Sequence, residues 1–217
     1  MMNALRTSLL VLLILTTPAR ASTSGDWAKL ERALSGWRVS EAAGALERLS
    51  AAGERSPRLE LARGRLEILR GEYDAATRSL EKARAVGPLA MHFENVARET
   101  AQETRGYVQR RTADGHFIVL HEPGPDELLM PYLEHVLARS WTALTERLDY
   151  VPEGPIRVEI YPRVDVLGAV SPLTVEEIRT SGTIALCKYN RLMVTSPRDM
   201  VYGYSWADTV AHELVHL

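Results

Sequence analysis

The character of the chain changes near Gly106, and this break limits the possible folds more than any other feature. From Asp26 to about Arg105 the sequence is rich in Ala, Leu, Glu and Arg, with apolar residues at helical spacing and no run typical of a strand. Beyond Gly106, apolar stretches of strand length are interspersed with helical ones. The break predicts an α+β chain, in which an all-α segment is followed by a part that contains both strands and helices.

The composition is that of a folded protein, and it argues against binding to nucleic acid. The 217 residues are 46% hydrophobic and 25% charged, which is the balance of ordinary globular chains. Lys and Arg number 26 against 28 Asp and Glu, a formal net charge of −2, so no basic excess is available for a phosphate backbone. The single cysteine, Cys187, excludes an internal disulfide and a cysteine-rich zinc cluster. A metal site must therefore use histidines and carboxylates.

The first 21 residues are typical of a secretory signal peptide. Arg6 precedes the apolar run Leu9–Leu15, and Ala19-Arg20-Ala21 offers an Ala-x-Ala cleavage site. The run is much shorter than the roughly 20 residues of a membrane-spanning helix. We expect residues 1–21 to be removed, leaving a mature chain that starts at Ser22, has no stable membrane span and is secreted or periplasmic.

Residues 22–105 are predicted to form stacked pairs of helices that repeat along the chain. A period of about 34 residues relates two sets of apolar positions, which are Ala42, Leu46, Leu49, Ala76, Leu80 and Ala83. In the second copy, Gly64 is predicted where the two helices pack closely, Gly71-Glu72-Tyr73 forms the turn, and Pro88 ends the second helix. With these residues the segment 22–105 resembles tetratricopeptide repeats. The resemblance implies either a docking surface for a protein partner or a helical spacer, and we favour the spacer.

The second half, residues 106–217, is predicted to alternate strands and helices. In order, these are a strand Gly115–His121, a helix to about Asp149 with Pro131 in its first turn, a strand Pro155–Pro162, a short helix Thr174–Arg179, and a hairpin of Thr183–Cys187 and Leu192–Thr195 around Tyr189-Asn190. The strand Leu192–Thr195 is a candidate edge for pairing with an extended peptide. A last helix is predicted over Trp206–Leu217, where Ser205 and Asp208 have the spacing of a capping box.

The last helix carries the motif with the most chemical content. His212 and His216 lie four residues apart, so both imidazoles lie on one helix face with Glu213 beside them. This His-Glu-x-x-His spacing predicts a Zn²⁺ site with the two histidines as ligands. Zinc lowers the pKa of a bound water to about 7, and Glu213 would act as the general base that takes its proton and passes it to the leaving amine.

The motif, its apolar flanks and the order of elements before it resemble the Peptidase MA superfamily, the gluzincin-type zinc metallopeptidases, over about Gly106 to Leu217. The resemblance implies an exported zinc-dependent enzyme that hydrolyses peptide bonds in a peptide or protein substrate, with His212 and His216 as zinc ligands and Glu213 as the base. In that family the third zinc ligand is a glutamate on a later helix. The sequence stops one residue after His216, so we expect either an incomplete peptidase domain or a site completed by an upstream residue. In the favoured first case we expect no activity from this chain alone.

Two other interpretations remain open at this point. The chain could be a non-catalytic envelope interaction or scaffold protein with helical repeats and a degenerate peptidase-like domain, or a different zinc hydrolase of the same fold. The remaining histidines are expected to be solvated or hydrogen-bonded rather than metal ligands; they are His92, His116, His121 and His135. Cys187, within an apolar strand, is expected to be a small buried residue rather than a nucleophile.

Overall fold

A computed structural model of the protein describes residues 23–217. The predicted signal peptide, residues 1–21, lies outside them. The described chain contains nine α-helices, which are α1 (Thr23–Ser35), α2 (Val39–Ala51), α3 (Pro57–Arg70), α4 (Tyr73–Lys82), α5 (Pro88–Glu103), α6 (Met130–Leu148), α7 (Val164–Val170), α8 (Val175–Ser181) and α9 (Trp206–Glu213). Its five strands are β1 (Val108–Arg111), β2 (Phe117–His121), β3 (Ile156–Tyr161), β4 (Ala185–Lys188) and β5 (Arg191–Thr195). None of these helices combines the length and the apolar character that crossing a bilayer requires.

The first half is helical, as the sequence predicts, and consecutive helices pack against each other. A Cβ at Gly64 would lie 2.4 Å from the Cγ of Leu80, so α3 and α4 do approach closely there. Gly71 ends α3 in the left-handed conformation, which glycine adopts without strain. The prediction that Pro88 ends the second helix is wrong, because α4 stops at Lys82 and Pro88 begins α5. Proline suits the first turn of a helix, where its missing N–H is not needed.

The strands form one mixed sheet in the order β1-β2-β3-β5-β4. The three central strands β2, β3 and β5 are parallel, and β1 and β4 pair antiparallel at the two ends. The predicted hairpin is confirmed, with Tyr189 and Asn190 as its turn. The strand Leu192–Thr195 is not the edge, because β5 pairs with β3 on one side and β4 on the other. β4 is therefore the edge strand at this end of the sheet.

Helices cover both faces of the sheet. On one face α6 and α9 enclose an apolar core that includes Phe117, Leu137, Val158, Leu192 and Val210. On the other face α7 and α8 cover part of the sheet, and α4 and α5 contribute polar side chains to it. The coarse prediction of a helical first half and a second half of strands and helices is confirmed. The tetratricopeptide-like and zincin-like arrangements stay predictions.

The helical half meets the sheet at a fully buried polar network. Glu159 of β3 accepts hydrogen bonds from Arg191 Nη1 of β5 at 2.7 Å and from the Tyr161 hydroxyl at 2.7 Å. The Tyr73 hydroxyl of α4 also donates to Glu159, and Arg191 Nη1 lies 3.3 Å from Thr100 Oγ1 of α5. Buried charges persist only when they are paired and hydrogen-bonded. The network therefore ties α4 and α5 to the central strands.

Candidate metal centre

α9 and the turn that follows it carry the motif, and Glu213 lies beside the edge strand. Val210 and Leu214 belong to the core beneath the helix, and α9 packs against α6 and β4. Ser205 occupies the N-cap position, but its side chain makes no cap hydrogen bond, so the predicted capping box does not form within the described chain. The helix ends at Glu213 rather than at Leu217, and the last residues form a 3₁₀ turn. Such tightening is common at the carboxyl ends of helices.

The two motif histidines are exposed and face each other. The Nε2 atoms of His212 and His216 lie 3.4 Å apart, and the ring planes are 72° apart with centroids separated by 5.2 Å. Two nitrogen ligands at about 2.0–2.1 Å from a tetrahedral zinc ion are separated by about 3.3 Å. The observed separation fits two ligands of one zinc ion, and solvent can reach both nitrogens.

Glu213 is half-buried, and its carboxylate is held by the edge strand. The backbone N–H of Cys187 in β4 donates to Glu213 Oε2 at 2.9 Å. Ile184 O accepts from Thr195 N, so alternate residues of this strand bond to β5 and the N–H of Cys187 points outward. Within residues 23–217, Oε1 of Glu213 has no hydrogen-bond partner. One carboxylate oxygen is thus fixed and the other is available.

Cys187 is buried beside Glu213. Burial, followed by the nearby Glu213 carboxylate, raises the pKa of Cys187 to about 12. Without a bound metal the thiol is therefore neutral near pH 7. The expectation that Cys187 is a small buried residue is confirmed.

Three of the other four histidines make local contacts, and the fourth is exposed. His116 stacks on Trp141 with centroids 4.1 Å apart, and Nδ1 of His121 donates to its neighbour's carbonyl at 2.8 Å. His92 lies 3.3 Å from the Tyr189 hydroxyl, and His135 is exposed on α6. In the part of the chain that the structure describes, no group of three or more His, Cys, Asp or Glu side chains is placed to hold a metal ion.

Comparison with protein-family models, with curated proteins and with solved structures finds no match to this chain. The function of the centre must therefore be argued from its own residues. Sequence reasoning did not find the contact of Cys187 with Glu213, because a backbone N–H is present at every non-proline residue and carries no signal of its own. The apolar run before the motif predicts a strand. It does not predict which backbone amide of that strand faces the glutamate.

Proposed function

We propose that this chain carries the zinc site and the general base of a gluzincin-type metallopeptidase, an enzyme that hydrolyses peptide bonds, preceded by tetratricopeptide-like helices. The observation that carries the proposal is the 3.4 Å separation of the Nε2 atoms of His212 and His216, with Glu213 next to them in the sequence. Neutral imidazoles are the commonest metal ligands in proteins. The distance between the two Nε2 atoms, the exposure of both side chains and the imidazole donors together support zinc as the ion.

Glu213 is the residue that would move the proton. When bound, zinc polarises a substrate carbonyl and makes a water molecule more acidic. Glu213 Oε1 is free to accept a proton from the attacking water and to deliver it to the leaving amine, a role typically worth about 10²–10⁴ in rate. The Cys187 N–H restrains Oε2, so the carboxylate does not have to be ordered when substrate arrives.

We propose β4, in place of the strand Leu192–Thr195, as the edge that pairs with an extended substrate. β4 lies at the end of the sheet, and its outward backbone groups belong to Ala185 and Cys187, which alternate with residues bonded to β5. An unpaired strand edge is a template for an extended peptide. Because the Cys187 amide is occupied by Glu213, the Cys187 carbonyl and the two backbone groups of Ala185 remain for the substrate.

The two-ligand centre leads to a specific expectation for this chain. The family that this sequence resembles uses a glutamate as the third zinc ligand. Residues 23–217 place no third metal-binding side chain with His212 and His216. Catalytic zinc sites have three protein ligands, so we expect the 217-residue chain to bind Zn²⁺ weakly and to show no hydrolysis of unfolded protein substrates. Chelator-sensitive hydrolysis that is lost in Glu213→Ala would contradict this expectation and would leave the peptidase assignment supported.

The proposal is tested by titrating the full chain with Zn²⁺ in a calorimeter. We expect one binding event that is lost in His212→Ala and in His216→Ala, because a single imidazole does not chelate. His135→Ala is the matched control, since it removes an exposed histidine from another helix, and it should leave the titration unchanged. Absence of any zinc binding in the unaltered chain would contradict the metal site and favour the non-catalytic scaffold.

A further inference from the structure

The tip of the β4–β5 hairpin forms one wall of a groove in the helical half. The other walls come from α1, the turn after it, α3 and α5, and their residues include Leu34, Trp37, Arg65, Leu69 and Phe93. The ring of Tyr189 meets that of Phe93 edge to face, with centroids 5.5 Å apart, and packs against two separate apolar clusters of the helices. Asn190 is buried next to it, and its Nδ2 donates to the Leu69 carbonyl at 3.5 Å.

The backbone of this tip is in an unusual conformation. Tyr189 and Asn190 have φ values of 57° and 58°, the left-handed region that type I′ hairpin turns require. Asparagine tolerates this region, whereas a residue with a bulky side chain rarely adopts it. Such a conformation persists only where the surroundings hold it in place. The contacts of the Tyr189 ring with the helices provide that support.

The tip is two residues from the amide that holds the proposed base. Tyr189 follows Lys188, and Lys188 follows Cys187, whose N–H donates to Glu213 Oε2 at 2.9 Å. β4 pairs with a strand on one side only, so its position depends on β5, on α9 and on the anchored tip. A displacement at Tyr189 would therefore act on the strand that carries the Cys187 amide.

We propose that the helical half positions the edge strand and the general base, and that Tyr189 is the positioning residue through which it acts. This inference rests on the proposed function for the role of Glu213. One wall of this groove is then formed by a segment of the same chain. In this proposal the helices hold that segment in place, which an inert spacer would not do.

The test follows the Cys187 amide in the full chain without metal or substrate. Tyr189→Ala removes the ring but keeps a residue that is unfavourable at positive φ, so it isolates the ring contacts. We expect amide exchange and iodoacetamide labelling of Cys187 to become about tenfold faster, equivalent to about 1.4 kcal/mol in the opening equilibrium. The Cys187 amide resonance should also shift in the direction seen in Glu213→Gln, which weakens the same hydrogen bond.

Three further variants make the result decisive. Phe93→Ala removes the partner ring from α5 without changing the hairpin and should have the same effect. If Tyr189→Ala does not fold, Phe93→Ala alone decides the test. Tyr189→Phe keeps the ring and should restore slow labelling to within about twofold of the unaltered chain. Tyr202→Ala is the control, because Tyr202 is fully exposed. The inference is overturned if the folded Tyr189→Ala and Phe93→Ala proteins protect Cys187 as well as the Tyr202→Ala control does. Because zinc is absent throughout, this result is independent of the calorimetric titration.

Discussion

Arg191 Nη1 lies 2.7 Å from Glu159 Oε2, and neither side chain has any exposed surface. The two residues stand on adjacent parallel strands, and their remaining partners come from both halves of the chain. Tyr73 and Thr100 approach from the helices, and Tyr161 approaches from β3. A buried ion pair is tolerable only while all its partners are in place, so this pair depends on the docking of the helices onto the sheet.

Removal of one partner should be strongly destabilising. We expect Arg191→Met to lower the free energy of unfolding by about 3–5 kcal/mol, because Glu159 becomes a buried charge that is only partly compensated. Urea unfolding followed by circular dichroism measures the change. Arg163→Ala is the control, since Arg163 forms an exposed pair with Asp165 at 3.0 Å, and such pairs contribute at most about 1 kcal/mol. Equal losses in the two variants would contradict the prediction.

The same network makes stability depend on pH on the acid side. Burial alone would raise the pKa of Glu159, but the adjacent Arg191 and Arg157 cations and the tyrosine hydroxyls outweigh it, so the pKa is lowered. The carboxylate therefore contributes stability that is fully present above about pH 4.5, the pKa of an unfolded glutamate, and is lost as the pH falls toward the folded-state pKa. We expect Glu159→Gln to flatten this acid decline in urea unfolding curves. An unchanged slope would show that other carboxylates account for it.

The Cys187 thiol should be almost unreactive in the folded chain. Its pKa of about 12, raised first by burial and then by Glu213, leaves so little thiolate at pH 8 that alkylation is expected to be about a thousandfold slower than for an ordinary thiol. Iodoacetamide labelling followed by mass spectrometry measures the rate, and labelling of the same chain in urea provides the reference. Comparable rates in the folded and unfolded chain would mean that the thiol is not buried as the structure shows.

Two helical glycines should respond in opposite ways to the same substitution. A Cβ at Gly64 would lie 2.4 Å from Leu80 Cγ in the adjacent helix, so Gly64→Ala is expected to cost about 1–3 kcal/mol through overpacking. In the interior of α2, Gly44 would place its Cβ no closer than 3.4 Å to the flexible end of Arg48. Gly44→Ala should therefore stabilise the protein by about 0.5–1 kcal/mol through helix propensity. Thermal unfolding of both variants gives the comparison.

Much of the architecture was predictable, because it depends on local pattern. Tyr189-Asn190 predicted a hairpin since Asn190, a residue that favours turns, separates two apolar runs together with its neighbour, and the structure has that turn. Pro131 lies in the first turn of α6, as its ring requires. β1 was not predicted, because Val108–Arg111 contains one apolar residue and is a strand only through its pairing with β2.

In the candidate site, too, the features set by local sequence pattern were predictable and those set by distant contacts were not. The spacing of His212 and His216 predicted a facing pair, since residues four apart share a helix face, and the two rings do face each other. The zinc ion and the hydrolytic reaction stay predictions. The partner of Glu213 is 26 residues away in the sequence and depends on how α9 packs against β4. No local pattern encodes a contact of that kind.

The buried network also bears on whether the chain can be divided at Gly106. A separate second half would expose the Glu159–Arg191 pair to water. A separate first half would leave Tyr73 and Thr100 without their hydrogen-bond partner Arg191. Each piece would lose part of its interior at the cut. We therefore expect the two halves to melt together in one cooperative transition, and calorimetry should record a single heat-absorption peak whose van 't Hoff and calorimetric enthalpies agree.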